Sequence, residues 1–173
     1  MALGQTMQIC RRVGRVERQA GSEGVTRQSS PVDEAVLRAE GWLPTPVQGF
    51  CRHISPLWTR GCGDEREVGM LVGSEHANNY LGTPYGGALM MFADAALSVG
   101  VGEALGGPYS VTAHVQTQFI SAARVGEFVW CRPEVTRKTR DLVFVRGLFS
   151  AGGRCVATPD GIWKILSRDR LAS

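Results

Sequence analysis

A chain of 173 residues, 43% hydrophobic and 20% charged, can bury one core without a disulfide framework and is too short for two full domains. Its formal net charge of +3 lies wholly in residues 1–30, which carry five Arg and two Glu. Residues 31–173 balance 14 basic against 14 acidic groups, so no basic footprint for nucleic acid is expected. Five cysteines, an odd number with no C-x-x-C pair, read as reduced thiols in a cytoplasmic protein. The longest apolar stretch is interrupted by Asp94 and falls short of the roughly 18 residues of a membrane span, so no membrane partner is expected.

Residues 1–30 lack a sustained apolar period and read as a mobile Arg-rich tail. Residues 31–48 read as an N-terminal helix and linker. Pro31 and Asp33 start the helix, Ala35, Val36 and Leu37 face inward, Gly41 ends it, and residues 42–46 link it onward. The main domain is expected over 49–173. Residues 50–58 carry a Pro56 break and suit a docking segment or a short strand, and residues 66–73 suit a strand. Cys51, His53 and Cys62 match no finger spacing and have no second ligand pair, so no metal is expected.

Residues 78–85 are a loop by composition. Gly86-Gly87 then open a helix that runs to residue 105, apolar on every face and therefore expected to be buried. Four strand-like runs follow, over 109–120, 127–137, 142–150 and 155–166. The short breaks between them predict antiparallel hairpins in a meander. The predicted class is α+β, with an antiparallel β-sheet wrapped around a long central helix.

Asp94 is the only ionisable residue between Ala88 and Val101. A carboxylate buried without a partner is costly, so this one is a candidate for chemistry. The second candidate is the helix start. The first amides of a helix lack intrahelical partners, and glycine lets a ligand approach them closely, so Gly86 and Gly87 offer a cradle for a developing oxyanion. Asp94 lies eight residues after Gly86, roughly 12 Å along the axis at about 1.5 Å per residue. One carbonyl cannot touch both on the same helix. A site using both takes the glycines from one protomer and Asp94 from another, which predicts an isologous dimer. Ser98, at i+4 from Asp94, is placed to orient it or a water, or simply packs.

The stretch HANNYLGTPYGGALMMFAD, from His76 to Asp94, resembles the signature of the PaaI-like acyl-CoA thioesterases of the hotdog-fold superfamily, and VTAHVQTQFISAARVGE resembles the strand and turn that follow. The resemblance covers about residues 50–166. It implies a hotdog fold and hydrolysis of an acyl-CoA, with coenzyme A part of the substrate, no separate cofactor, and a homodimer or homotetramer. It implies that Gly86, with Gly87, binds the thioester oxygen. Asp94 acts as nucleophile or general base, Asn79 holds the water or carbonyl, and Thr112 is a small hydroxyl residue near the site. Two departures stand out: Tyr85 replaces the His of the family's HGG, and one extra residue after His76 makes Asn78 the alternative to Asn79. Tyr85 either substitutes through its hydroxyl or lines the acyl pocket. His76 reads as a loop or supporting residue.

The remaining features read as structural. Met90, Met91 and Phe92 suit packing, as do Trp58, Trp130, Trp163 and the strand residue His114. Arg137, Lys138 and Arg140 cluster in a turn that is either solvated or binds the phosphates of coenzyme A. The rival functions are a non-catalytic acyl-CoA binder, which Tyr85 would favour, a hydratase, which would want a His beside the Asp, and a protein whose Arg-rich tail over 1–30 recruits nucleic acid.

Overall fold

Helix α2 (Gly86–Leu105) is the axis of the computed structural model, which describes residues 32–54, 56–78 and 81–167. The predicted tail over 1–30 and the candidate Asn79 lie outside the described residues. Leu89, Phe92, Ala93, Ala96, Leu97, Gly100 and Val101 are buried, the i, i+3, i+4, i+7 spacing of one helix face. The expectation of burial on every side is therefore corrected. Met90, Met91, Asp94, Ala95, Ser98, Val99 and Gly102 are only half-buried, because the sheet covers one side of the helix. In length and composition α2 would also suit a membrane span, despite Asp94; here its buried face is the protein core. Gly106 stops it in the left-handed conformation at φ 69°, its N–H returning to the carbonyls of Gly102 and Glu103.

Nine strands are formed among the described residues: β1 (Leu43–Thr45), β2 (Leu57–Arg60), β3 (Glu67–Leu71), β4 (Ser110–Phe119), β5 (Phe128–Cys131), β6 (Glu134–Lys138), β7 (Leu142–Arg146), β8 (Phe149–Ala151) and β9 (Arg154–Ile165). All pairings are antiparallel, in the order β1-β2-β3-β5-β8-β9-β7-β6, with β4 on β9. The predicted meander fails at β4, which skips β5 and pairs with the last strand. The 12-residue β9 holds β7 and β8 along one edge and β4 along the other. Two predicted strands are each split, at Arg132-Pro133 and at Gly147-Leu148. Proline supplies no ladder donor, so the break at Pro133 follows from its chemistry. Gly100 of α2 lies directly under Pro133, with no room for a Cβ between them.

The N-terminal segment differs from its reading. In α1 (Glu34–Ala39) the Asp33 carboxylate accepts the Ala35 amide at 2.9 Å as N-cap. Only Leu37 is buried; Ala35 is exposed and Val36 is 51% exposed, since a helix of under two turns offers one inward position. Residues 42–46 are no linker: Trp42 is buried and Leu43–Thr45 pair with β2. Alternate strand residues divide between two cores. Leu57, Met70 and Val129 join α2, whereas Trp58 and Phe128 join Leu37 and Trp42 under α1. Residues 49–54 form a 3-10 turn, not a strand, and its Ile54 enters the α2 core.

Candidate active site

The start of α2 is open. Tyr85 is the N-cap residue, with φ −60° and ψ 138°, and its side chain makes no capping bond. Its carbonyl accepts the amides of Ala88 at 2.9 Å and Leu89 at 3.4 Å. The amides of Gly86 and Gly87 donate to no group among the described residues. They are the unpaired donors at the positive end of a 20-residue helix. The Tyr85 ring packs over Gly87, where an added Cβ would sit 3.1 Å from the ring. Tyr85 is 66% exposed, so its phenol is turned to solvent.

A groove of about 310 Å³ runs beside these amides, lined by Thr83, Pro84, Leu89, Phe119, Ile120 and Ala123 among others. Phe119 and Ile120, 53% and 50% exposed, make its rim apolar. Neither stood out in the sequence as a site residue. Their signal was an apolar pair at the end of a strand, where the chain turns outward.

Two turns along the helix, the Thr112 hydroxyl donates to Asp94 Oδ1 at 2.6 Å. That is a short, charge-assisted bond from β4 to α2. The β4 register shifts between Thr112 and His114. Thr112 thus meets the helix while His114 is exposed, which corrects its reading as a packing residue. Asp94 itself is half-buried and partnered, not isolated in the core. Ser98 does not orient Asp94: its Oγ accepts the indole N–H of Trp163 at 3.0 Å.

The loop before the helix is tied at both ends. Ala77 bridges Pro84, and the Asn78 amide donates to the Thr83 carbonyl at 2.7 Å. Asn78, the alternative to Asn79, is half-buried in this loop. His76, read as a supporting residue, is 6% exposed and hydrogen-bonded through both ring nitrogens.

Several candidates lie away from this region. Lys138 Nζ donates to the Ala104 carbonyl at 3.0 Å, at the negative end of α2, while Arg137 and Arg140 are exposed. At the same end Glu103 accepts from Arg66 Nε at 2.7 Å and the Gly63 amide at 3.2 Å. The Arg66 hydrogen bond holds the Glu103 carboxyl below the usual carboxylate range. Burial, with Glu67 nearby, pushes the Cys131 thiol up, so it is an inert core group. Among the described residues no three His, Cys, Asp or Glu side chains converge as metal ligands.

The structure thus brings together Asp94 with Thr112, and Gly86 with Gly87 and Tyr85. It leaves the two groups about two turns apart on one helix, roughly 12 Å.

A family model described as thioesterase superfamily matches residues 81–157, from the loop before α2 into β9. No curated protein matches the chain by sequence. Among solved structures, the phenylacetic acid degradation protein PaaI from Thermus thermophilus is similar with TM-score 0.60 and 23% identity, over 68% of this chain and 98% of that one. Zebra fish thioesterase superfamily member 2 gives TM-score 0.62 and 21% identity, over 76% and 94%. The PaaI protein of E. coli gives 0.55 and 16%, over 77% and 85%. At these identities the structures speak for the fold: the chain has the hotdog fold, its antiparallel sheet wrapped on α2, and its part from the loop before α2 into β9 is similar to the thioesterase superfamily.

Proposed function

We propose that the protein hydrolyses acyl-CoA thioesters as a homodimer, or a homotetramer built from such dimers. The observation that carries this reading is the start of α2: two unpaired amides open beside an apolar groove, on the same helix that bears Asp94. The thioester carbonyl sits on the amides of Gly86 and Gly87, which stabilise the oxyanion as it forms. The acyl chain lies along Leu89, Phe119 and Ile120. Asp94 of a second protomer attacks the carbonyl, or takes a proton from the water that does, and Thr112 holds its far oxygen. The thiolate of coenzyme A leaves; where Asp94 is the nucleophile, water then hydrolyses the acyl–aspartyl anhydride to the free acid and restores the carboxylate. Asn79 or Asn78 steadies the carbonyl or the water, and Tyr85 stands at the mouth of the groove.

A second protomer is supported by two uncovered surfaces. The outer half of α2 is only half-buried, and among the described residues β4 pairs on one edge alone, with Val111 49% exposed. A ten-residue strand with a free edge is a pairing surface. The chemistry needs no metal or redox cofactor, and a cytoplasmic location suits the reduced thiols.

The test is thiol release from short, long and aromatic acyl-CoAs by wild type and Asp94→Asn. Turnover by wild type should fall by about a hundredfold or more in a folded variant. Tight acyl-CoA binding with no thiol release from any substrate would instead favour a binding protein and point to Tyr85.

A further inference from the structure

We propose that His76 is a positioning residue that aims the amides at the start of α2. The proposal rests on the reading of those amides as the oxyanion site. His76 does not line the groove and acts through the backbone of Tyr85.

The geometry starts at the ring. The Gly73 amide donates to Nδ1 at 2.9 Å, and a backbone N–H can only donate. Nδ1 therefore carries no proton, Nε2 does, and Nε2–H donates to the His53 carbonyl at 2.8 Å. One neutral tautomer joins the end of the β3 connection to the 3-10 turn Gly49–Ile54, which is anchored in the core by Ile54. The Glu75 carboxylate approaches Nε2 at 3.7 Å from a solvent-exposed position.

From this fixed residue the hold passes to the helix. The His76 carbonyl accepts the Tyr85 N–H at 2.7 Å, and Tyr85 is the N-cap of α2. The next peptide along carries the Gly86 N–H. Side chains add little stiffness in this stretch: that of Tyr85 makes no cap, and Gly86 and Gly87 have none to pack. Oxyanion donors work only within about 2.7–3.1 Å of the developing charge, so a small drift of the N-cap peptide costs rate. A residue far from the reacting atoms can then govern kcat without contacting substrate.

The experiment compares wild type with His76→Ala, His76→Asn and His76→Gln. Asn returns an acceptor near the Nδ1 position, and Gln returns a donor near the Nε2 position. His76→Ala should lower kcat about tenfold or more with KM within about twofold, while Asn and Gln each recover part of the loss. Hydrogen exchange should quicken at Tyr85, Ala88 and Leu89, whose amides are hydrogen-bonded at the N-cap, and stay slow in the middle of α2. A folded His76→Ala with wild-type kcat, or with its loss confined to KM, overturns the proposal. Should the alanine variant not fold, Asn and Gln carry the same comparison, and wild-type kcat in both overturns it. Should wild type cleave no thioester, the functional reading fails separately. Exchange then decides the positioning role: unchanged rates at Tyr85, Ala88 and Leu89 overturn it, and faster rates confined there uphold it.

Discussion

On the proposed reading, the chemistry at Asp94 depends on which oxygen is left to act. Thr112 donates to Oδ1 at 2.6 Å, so Oδ2 is the oxygen open to a substrate or water. A hydroxyl donating to a carboxylate also fixes its plane, and for attack or proton transfer orientation is worth orders of magnitude. Thr112→Val keeps the volume and removes the donor. We expect kcat to fall about tenfold or more with KM little changed, and Thr112→Ser to restore most of it, as read by steady-state thiol release. The same pairing explains how an acid sits in an otherwise apolar helix. It is half-buried and hydrogen-bonded, so the cost of a lone buried carboxylate does not arise.

Among elements, α2 carries a different device at each end. At its start, Gly86 is the first helical residue, and the extended ψ of 138° at Tyr85 suits a residue before proline. Proline is well tolerated at this position because the missing N–H has no helical partner there. Gly86→Pro therefore deletes one of the proposed oxyanion donors and leaves the helix intact, and its Cβ would meet the Phe119 ring at 3.6 Å, an ordinary contact. We expect kcat to fall by about 10²–10³ with unchanged circular dichroism. At the other end, the Glu103 carboxyl is held low by Arg66. Its stabilisation is present above the ordinary carboxylate range and is lost as pH falls through the lowered value. Glu103→Gln should thus lower the thermal midpoint at pH 7, and the gap to wild type should close below about pH 4. Much of this was legible in the chain. Gly86-Gly87 and the run from Ala88 marked the helix, and Asp94 marked the point where β4 bonds to it. What was not legible depended on partners distant in sequence. The pairing of β4 with β9 leaves no trace in the alternation of either strand, since a strand's period says which face is buried and not which neighbour it has. Leu43–Thr45 is too short to show a period at all. The ring of His76 reads as a loop residue until His53, 23 residues earlier, is brought to its Nε2.

For the whole molecule, the decisive question is whether the two halves of the site come from one chain or from two. The amides of Gly86 and the carboxylate of Asp94 lie about 12 Å apart along a rigid helix, which no side-chain motion closes. In the proposed two-fold dimer the helix start of one protomer lies against Asp94 of the other, twice over. The arrangement has a numerical consequence. In a mixture of Gly86→Pro and Asp94→Asn protomers, each homodimer has two broken sites. Each mixed dimer has one site with both defects and one with neither, because the Asp94→Asn chain lends its intact amides to the intact carboxylate of the Gly86→Pro chain. Random exchange makes about half of the dimers mixed, so activity should recover to about a quarter of wild type. Co-refolding the two variants at equal concentration and measuring thiol release reads this directly. Recovery should follow the fraction of mixed dimers isolated by differential tags. Activity that stays at the sum of the two single variants would place both groups in one chain, and the site would then have to be rebuilt around a longer-range motion of the loop before α2.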